Sequence, residues 1–281
     1  MKNPAYYMAK SVTSNALVHL FLLAVAVSCV FPLLWMVAAS LKTQTTVFDG
    51  SLCPKTMHFE NYLTACRQGN FGRYFLNSIV YTVSVVAGIV LVSSLAAYAF
   101  SRLRFPGKNA MFYMFMAAMM IPIPGSFVAL YVLLNTLHLR NTAAGYILCM
   151  INVGLSTSIF LLKTFYDKMP RELEDAARID GCSKLGIWWH VILPLSSPVM
   201  AVVIIFNALN VWNEFILALI VFDSKSLMPL QVALQMFQGE FVTNYPLLMA
   251  ALTITALPVI ALYMLMQKYL LKGVTQAVLI G

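Results

Sequence analysis

Residues 74–101 read YFLNSIVYTVSVVAGIVLVSSLAAYAFS and contain no Asp, Glu, Lys or Arg. A helix needs about 20 residues to cross the roughly 30 Å hydrocarbon layer of a membrane, so this run is long enough for one crossing. A helix also satisfies its own backbone hydrogen bonds, which lipid cannot do. The stretch therefore predicts a membrane-spanning helix and indicates the structural class of the chain.

Five further stretches of comparable length also lack charged residues. They are Ser11–Leu41, Asn109–Leu139, Asn141–Leu162, Leu185–Asn213 and Phe241–Gln267. They show no alternation of short strands, which a membrane barrel would require. The sequence predicts an all-α integral membrane protein whose single transmembrane domain covers residues 1–281. We expect six transmembrane helices, at 17–40, 75–100, 110–133, 143–162, 197–221 and 246–269.

The composition excludes an ordinary soluble enzyme. Hydrophobic residues make up 61% of the 281 residues and charged residues only 10%, whereas a soluble domain usually carries about 25% charged residues. The first uncharged stretch is longer than the roughly 7–15-residue apolar region of a secretory signal peptide. We therefore expect it to be retained as a helix.

The basic residues indicate the orientation, because cytoplasmic loops of membrane proteins carry an excess of Lys and Arg. With the N-terminus inside, twelve of the 18 Lys and Arg residues fall on inner segments. We expect a multi-pass protein of the cytoplasmic (inner) cell membrane with both termini cytoplasmic, including a C-terminal tail at 270–281. Because the basic residues are scattered over short loops, no nucleic-acid partner is expected.

The cysteines and histidines give no metal-ligand spacing, so no metal site is expected. Cys53 and Cys66 share the first outer loop. They could form a disulfide in an oxidising compartment or remain separate thiols.

The inner loop at 163–190, called here the coupling loop, contains five acidic and five basic residues. A lipid-facing inner loop is expected to be basic, so this balanced charge predicts a surface that docks another protein. Acidic residues after Pro170 favour a helix start. Leu173, Ala176, Ala177 and Asp180 have the spacing of one helix face, and Gly181 permits a left-handed ending.

Within this loop, residues 174–181 read EDAARIDG, and VILP follows at 191–194. This pattern resembles the EAA loop of type I ABC importer permeases. Residues 74–78, 101–107, 211–215 and 273–281 resemble motifs of the carbohydrate-uptake, maltose-type subgroup. In the last of these, Gln276 and Ala277 stand where the subgroup has Ala-Gly, and the subgroup's Lys near the end is missing. The role of the tail toward an ATPase therefore stays open.

The resemblance implies a type I ABC importer permease fold with cytoplasmic EAA coupling helices. The ATPase-coupling residues would be Leu173, Glu174, Asp175, Ala176, Ala177, Asp180 and Gly181. Because Asp175 stands in place of the family Glu, either Asp175 or Glu174 could contact the ATPase. The implied partners are an ABC ATPase dimer, a second permease subunit, an extracytoplasmic sugar-binding protein and the lipid bilayer. The second permease subunit is usually a different chain in this subgroup, and the sequence leaves open whether it is different or identical here.

The chain lacks a Gly-x-x-x-x-Gly-Lys-Ser/Thr phosphate loop, so it is expected to be a transport subunit and not an enzyme. We expect this chain to bind no cofactor, and the partner ATPase to use ATP and Mg.

Two further groups of residues are candidates for the transport pathway and for a partner contact. Amide and aromatic side chains suit a sugar, which favours Asn207, Asn210, Trp212, Asn213 and Glu214 as a pathway lining. Alternatively, these residues hold helices together, and Glu214 has a solvated or structural role. The resemblance also implies a binding-protein contact at Gln235, Phe237, Gln238, Gly239 and Glu240, whereas an outer helix lying on lipid is the alternative.

The sequence therefore predicts the permease subunit of an ATP-driven, binding-protein-dependent sugar importer that works by alternating access. The same class of importer could carry a polyol, a glycerophosphate ester or a peptide. An ion-coupled secondary transporter is a further alternative, although it would need more buried acidic residues than Glu214 and usually shows inverted repeats. The last alternative is a membrane scaffold protein that does not transport a substrate.

Overall fold

The computed structural model describes residues 4–52, 54–67, 70–120, 127–237 and 243–280, and the regular elements in these ranges are helices. In chain order they are α1 (Pro4–Ser40), α2 (Glu60–Arg67), α3 (Phe71–Arg102), α4 (Lys108–Met119), α5 (Phe127–Thr136), α6 (Ala143–Lys168), α7 (Glu172–Ile179), α8 (Lys184–Ile187), a π-helical turn (Trp188–Ile192), α9 (Leu193–Leu195), α10 (Ser197–Trp212), α11 (Ile216–Val221), a 3-10 turn (Lys225–Leu227), α12 (Leu230–Ala233), a second 3-10 turn (Leu234–Phe237) and α13 (Tyr245–Ile280).

Within these ranges, four helical segments are long and apolar enough to cross a membrane. They are Val18–Ser40, Phe71–Arg102, Ala143–Lys168 and Tyr245–Lys268. They overlap the spans expected at 17–40, 75–100, 143–162 and 246–269, and α1 itself begins before residue 17. A fifth span results if Lys184–Leu195 and Ser197–Trp212, which meet at 80°, are counted as one.

Each of the other two expected spans covers parts of two described helices. The span expected at 110–133 covers parts of α4 and α5, and residues 121–126 between them lie outside the described ranges. The span expected at 197–221 is interrupted between Trp212 and Ile216. The count of six crossings stays a prediction.

The chain divides into two compact units. The first contains Met1–Gln68 and Phe237–Ile254. In its loop after α1, the buried Lys42 places Nζ 2.6 Å from Oδ1 of Asp49 and donates to the Ser51 carbonyl at 2.5 Å. Hydrogen bonds from Lys42, which has the largest effect, and from Ser51 lower the pKa of Asp49 to about 2. These contacts give the predicted outer loop a defined structure.

The possible disulfide in this loop involves Cys53, which lies outside the described residues. Cys66 is an exposed, free thiol.

The second unit contains Gly69–Met236 and Thr255–Gly281. Its core lies where α3 packs along α6, and it includes Val85, Ile89, Tyr146 and Met150. Helix α10 packs on both helices. It comes so close to α6 at Gly154 that a Cβ atom there would overlap Oδ1 of Asn207. This close approach explains a glycine within an otherwise bulky apolar helix.

The 80° bend lies at Ser196, directly before α10. Pro198 lies in the first turn of α10, where its missing backbone N–H costs no helical hydrogen bond. The buried Ser196 joins the two segments, and its hydroxyl donates to the Leu193 carbonyl at 2.8 Å. The bend turns the chain from the coupling loop into α10.

Candidate functional site

Helix α7 is a short helix with strong signals at both ends. Its first turn contains Glu172, Glu174 and Asp175, whose negative charges favour the helix start. At its end Gly181 has φ +81°, a conformation suited to glycine. The Gly181 N–H donates to the Arg178 carbonyl and the Cys182 N–H to the Ala177 carbonyl. This Schellman pair ends the helix as the sequence predicts.

Most side chains of α7 are exposed. Only Glu174 and Ala177 within the helix are buried, whereas Leu173 is 41% exposed and Ile179 is 87% exposed. The predicted common face of Leu173, Ala176, Ala177 and Asp180 is therefore divided. Ala177 points inwards, and the other three are exposed together with Asp175 and Ile179.

The two adjacent acidic residues of α7 have different environments. Oε1 of Glu174 lies 2.7 Å from Nε of Arg102, and their side chains are only 7% and 4% exposed. Asp175 instead accepts a hydrogen bond from Nη1 of Arg178 at 3.1 Å, and these side chains are 64% and 63% exposed. The structure therefore leaves Asp175 accessible for a partner, while Glu174 is engaged within the chain.

Arg102 joins α7 to two long helices. It is the last residue of α3, and its Nη2 donates to the carbonyls of Tyr166 at 2.6 Å and Met169 at 2.7 Å. These carbonyls belong to the end of α6, where helical partners are missing. A single guanidinium thus connects α3, α6 and α7.

A second polar group supports the same helix ends. The Ser101 hydroxyl donates to Oδ1 of Asp167 at 2.6 Å, and Nζ of Lys163 lies 2.6 Å from Oδ2 of that residue. Lys108 donates to the carbonyls of Ser101 and Leu103. Its pKa is lowered, mainly because partial burial disfavours the ammonium.

Two of the predicted pathway residues hold helices together. Asn207 is buried, and its Nδ2 donates to Oγ of Ser158 at 3.0 Å and to the Val203 carbonyl at 2.8 Å. The buried Trp212 donates from Nε1 to the Thr255 carbonyl at 3.1 Å. These contacts are those expected from the structural alternative for Asn207 and Trp212, and their role in the pathway stays a prediction.

The remaining pathway candidates lie at or beside the interruption after α10. Asn210 and Asn213 are exposed. Oδ1 of Asn213 accepts a hydrogen bond from Nε2 of Gln231 at 3.2 Å. Oε1 of Glu214 accepts the Leu217 N–H at 2.7 Å and so caps the start of α11. The interruption exposes amide groups and gives Glu214 a structural role.

The segment that follows α11 is held by the N-terminal end of α3. Nδ2 of Asn77 donates to the carbonyls of Ser226 at 2.9 Å and Met228 at 3.0 Å. The Tyr81 hydroxyl donates to the Leu227 carbonyl, and Oγ of Ser78 accepts the Leu230 N–H. These contacts fix the start of the segment expected to meet a binding protein.

The predicted binding-protein residues are only partly described. Gln235 is exposed and Phe237 is buried. Gln238, Gly239 and Glu240 lie outside the described residues. Among the residues that are described, no three His, Cys, Asp or Glu side chains form a group suited to a metal ion.

The sequence analysis includes Arg102 in the motif at 101–107 but gives it no role, and it does not point to Gln231. In a single sequence, Arg102 is one of several basic residues beside a span, and its acidic partner follows much later in the chain. Gln231 belongs to a segment without a recognisable motif. Only the packing of distant segments reveals either contact.

Known proteins resemble the chain over nearly its whole length. The probable ABC transporter permease protein YurM of Bacillus subtilis is 35% identical over 258 residues, which cover 92% of this chain and 85% of that protein. The diacetylchitobiose uptake system permease protein NgcG of Streptomyces coelicolor is 31% identical over 264 residues, or 93% and 87% of the two chains. Both are named as permeases and not as enzymes, in agreement with the sequence-based prediction.

The fold also matches a solved structure. A chain of a bacterial ABC transporter involved in the import of the acidic polysaccharide alginate superimposes with a TM-score of 0.79 and 22% identity, covering 96% of this chain and 99% of that one. Residues 62–276 match the family described as binding-protein-dependent transport system inner membrane component. The chain belongs to this family of multi-pass membrane permeases.

Proposed function

We propose that this chain is the membrane-spanning permease subunit of an ATP-driven sugar importer, coupled through α7 to a separate ATPase. The observation that carries the proposal is the two-sided character of α7. On one side Glu174 is paired with Arg102 of α3 and Ala177 is buried in the hydrophobic core, whereas the other side is exposed. A short helix of this kind is suited to carry force between a docked protein and the spans.

The exposed side of α7 is the proposed docking surface. It consists of Leu173, Asp175, Ala176, Ile179 and Asp180. Leu173 and Ile179 offer apolar area that would be buried on docking. Asp175 is the acidic residue that we assign to the ATPase contact, because Glu174 is already paired. Gly181 ends the helix and sets its length.

The cargo is proposed to be a sugar or oligosaccharide. Hydroxyl groups need hydrogen-bond donors and acceptors in the site, and Asn210, Asn213 and Gln231 supply amides at the interruption after α10. The similar permease NgcG is named for diacetylchitobiose uptake. Asn207 and Trp212 would shape the pathway from behind, through helix packing.

The proposed importer contains further chains. An ABC ATPase dimer would use ATP and Mg, a second and different permease subunit would complete the pathway, and an extracytoplasmic sugar-binding protein would deliver the cargo near residues 235–240. This chain would hold no cofactor. It would lie in the cytoplasmic membrane with both termini, and hence the tail at 270–281, in the cytoplasm.

Mild-detergent purification of the tagged chain from its native membrane, followed by mass spectrometry, tests the assembly. We expect an ATPase, a second permease and a binding protein to be recovered with it. Recovery of the chain alone, under conditions that keep other importers intact, would favour an ion-coupled carrier. The sugar class is tested by thermal stabilisation of the recovered binding protein with oligosaccharides, a polyol, a glycerophosphate ester and a peptide. Stabilisation by the polyol, the glycerophosphate ester or the peptide alone would overturn the proposal of a sugar cargo.

A further inference from the structure

We propose that Arg102 is a positioning residue for coupling. It would fix Glu174, and thereby α7, to the C-terminal ends of α3 and α6, so that a displacement of α7 is passed to both spans. This inference rests on the proposed docking of an ATPase to the exposed side of α7. It concerns a residue outside the EAA-like segment at 174–181.

The geometry of the guanidinium suits a junction. Nε lies 2.7 Å from Oε1 of Glu174, while Nη2 donates to the Tyr166 and Met169 carbonyls at 2.6 and 2.7 Å. Arg presents its donors in a rigid planar fork, whereas Lys offers one compact charge on a flexible stem. Arg102 can therefore join three segments, through two hydrogen bonds to the carbonyls at the end of α6 and a close ion pair with Glu174.

Burial makes separation of Arg102 from Glu174 unfavourable. The side chains of Arg102 and Glu174 are 4% and 7% exposed, so neither charge has water as a ready substitute partner. Removal of one member would leave the other charge buried without compensation, a strongly unfavourable state. The arrangement with the pair formed is therefore much preferred to a partly separated one.

Few other contacts hold α7 to the long helices. Within α7 only Glu174 and Ala177 are buried, and Ala177 offers a single methyl group. The helix has eight residues, too few to be stable alone in water. After Gly181 the chain continues into α8 and the bend before α10. Glu174 is thus the polar link from α7 to the ends of α3 and α6.

The same chain offers matched controls. Arg104 is exposed and lies two residues after Arg102, and Glu172 is exposed and lies two residues before Glu174. Arg102→Met and Arg104→Met remove the same charge from a buried and an exposed position. Glu174→Gln and Glu172→Gln do the same for the acidic partner.

The test uses the complete complex purified through the tagged chain and reconstituted in liposomes. ATP hydrolysis is measured with and without the binding protein recovered in the same preparation, carrying the cargo it retains. The ratio of the hydrolysis rate with the binding protein to the rate without it reports how well the binding protein stimulates the ATPase through the spans. We expect the ratio to fall close to one in Arg102→Met and Glu174→Gln, with the ATPase still bound. The exposed controls should stay within about twofold of the unmodified complex.

A role confined to folding would give a different result. It would reduce the amount of assembled complex but leave the ratio unchanged in the complex that does assemble. Combining Arg102→Met with Glu174→Gln should lower the ratio no further than either change alone, because both remove the same contact. Arg102→Lys, which keeps the charge and loses the fork, should recover only part of the ratio.

Two outcomes overturn the inference. One is a ratio within about twofold of the controls in Arg102→Met and Glu174→Gln. The other is failure of Arg102→Met, Glu174→Gln and Arg102→Lys all to assemble, which would make the pair a folding requirement. The Ile179→Asp variant tests the proposed docking function separately from the inference about Arg102. If Ile179→Asp keeps the ATPase bound and stimulated, the docking assignment of α7 is wrong, whatever the ratio in the Arg102 variants.

Discussion

The two ends of α3 both hold an irregular segment, but they do so with different chemistry. At the C-terminal end, the buried Arg102 connects Glu174 on α7 with the carbonyls of Tyr166 in α6 and of Met169 directly after it. At the N-terminal end, the neutral side chains of Asn77, Ser78 and Tyr81 hold Ser226–Leu230 through separate hydrogen bonds to its backbone, and the exposed Arg73 adds one hydrogen bond to the Ser226 carbonyl.

This difference predicts how each segment should respond when a side-chain contact is removed by mutation. A buried charge needs its partner, so the contact at the C-terminal end is close to all-or-none. Neutral hydrogen bonds contribute only about 1 kcal/mol each, so the contacts at the N-terminal end should fail gradually. The first arrangement suits the transmission of force, and the second suits the retention of a loop.

The largest effect is expected at the C-terminal end. Arg102→Met should lower the free energy of unfolding by about 3–5 kcal/mol, because Glu174 remains buried without its charged partner. Thermal unfolding of the purified chain measures the change. The exposed Arg104→Met should change the free energy by no more than about 0.5 kcal/mol. Equal effects of the two changes would remove the basis of the comparison.

The ending of α7 should be the next most sensitive feature. Gly181 has φ +81°, and a Cβ atom there would meet nothing within 4 Å. Gly181→Val should therefore destabilise the chain through backbone strain alone, by about 1–2 kcal/mol. Gly181→Asn should cost less, because Asn tolerates this conformation. The free energies of unfolding of both variants test this explanation. Equal destabilisation by Val and by Asn would indicate that the φ value of Gly181 is not the cause.

The N-terminal end of α3 should lose stability in steps. Tyr81→Phe removes one hydrogen bond, to the Leu227 carbonyl, and should cost about 1 kcal/mol. Asn77→Ala removes two bonds and should cost about twice as much. Proteolytic accessibility of residues 223–230 measures the loosening. If Tyr81→Phe alone released the segment completely, the graded behaviour proposed here would be wrong.

The smallest effect concerns a charged contact in the first unit, between Lys42 and Asp49. Hydrogen bonds, the largest from Lys42 and the others from Ser51, lower the pKa of Asp49 from 3.8 to about 2. A lowered carboxyl pKa gives stability that is present above 3.8 and is lost as the pH falls through about 2. The titration of the Asp49 carboxyl carbon by nuclear magnetic resonance should show this midpoint. In Lys42→Met it should return toward 3.8, and an unchanged midpoint would exclude Lys42 as the cause.

Much of the permease class is visible in the sequence. The uncharged runs predict the helices that became α1, α3, α6 and α13, and the spacing at 174–194 resembles the family that the match over residues 62–276 confirms. Hydropathy did not reveal the interruption from Asn213 to Phe215. Its neighbours are apolar on both sides, and the caps at Asn213 and Glu214 are local contacts between short segments.

The sequence by itself determined that the chain is apolar, helical and membrane-spanning, because the length and uncharged character of a segment decide whether lipid can surround it. It also determined where a charged, helix-prone loop lies. Only the tertiary structure decided that Glu174 points inwards while Asp175 points outwards, and that Asn207 packs between helices while Asn213 is exposed. The physical reason is that the direction of a side chain depends on which distant residue lies opposite it. For Glu174 that residue is Arg102, and the packing of α3 against α6 brings the two together.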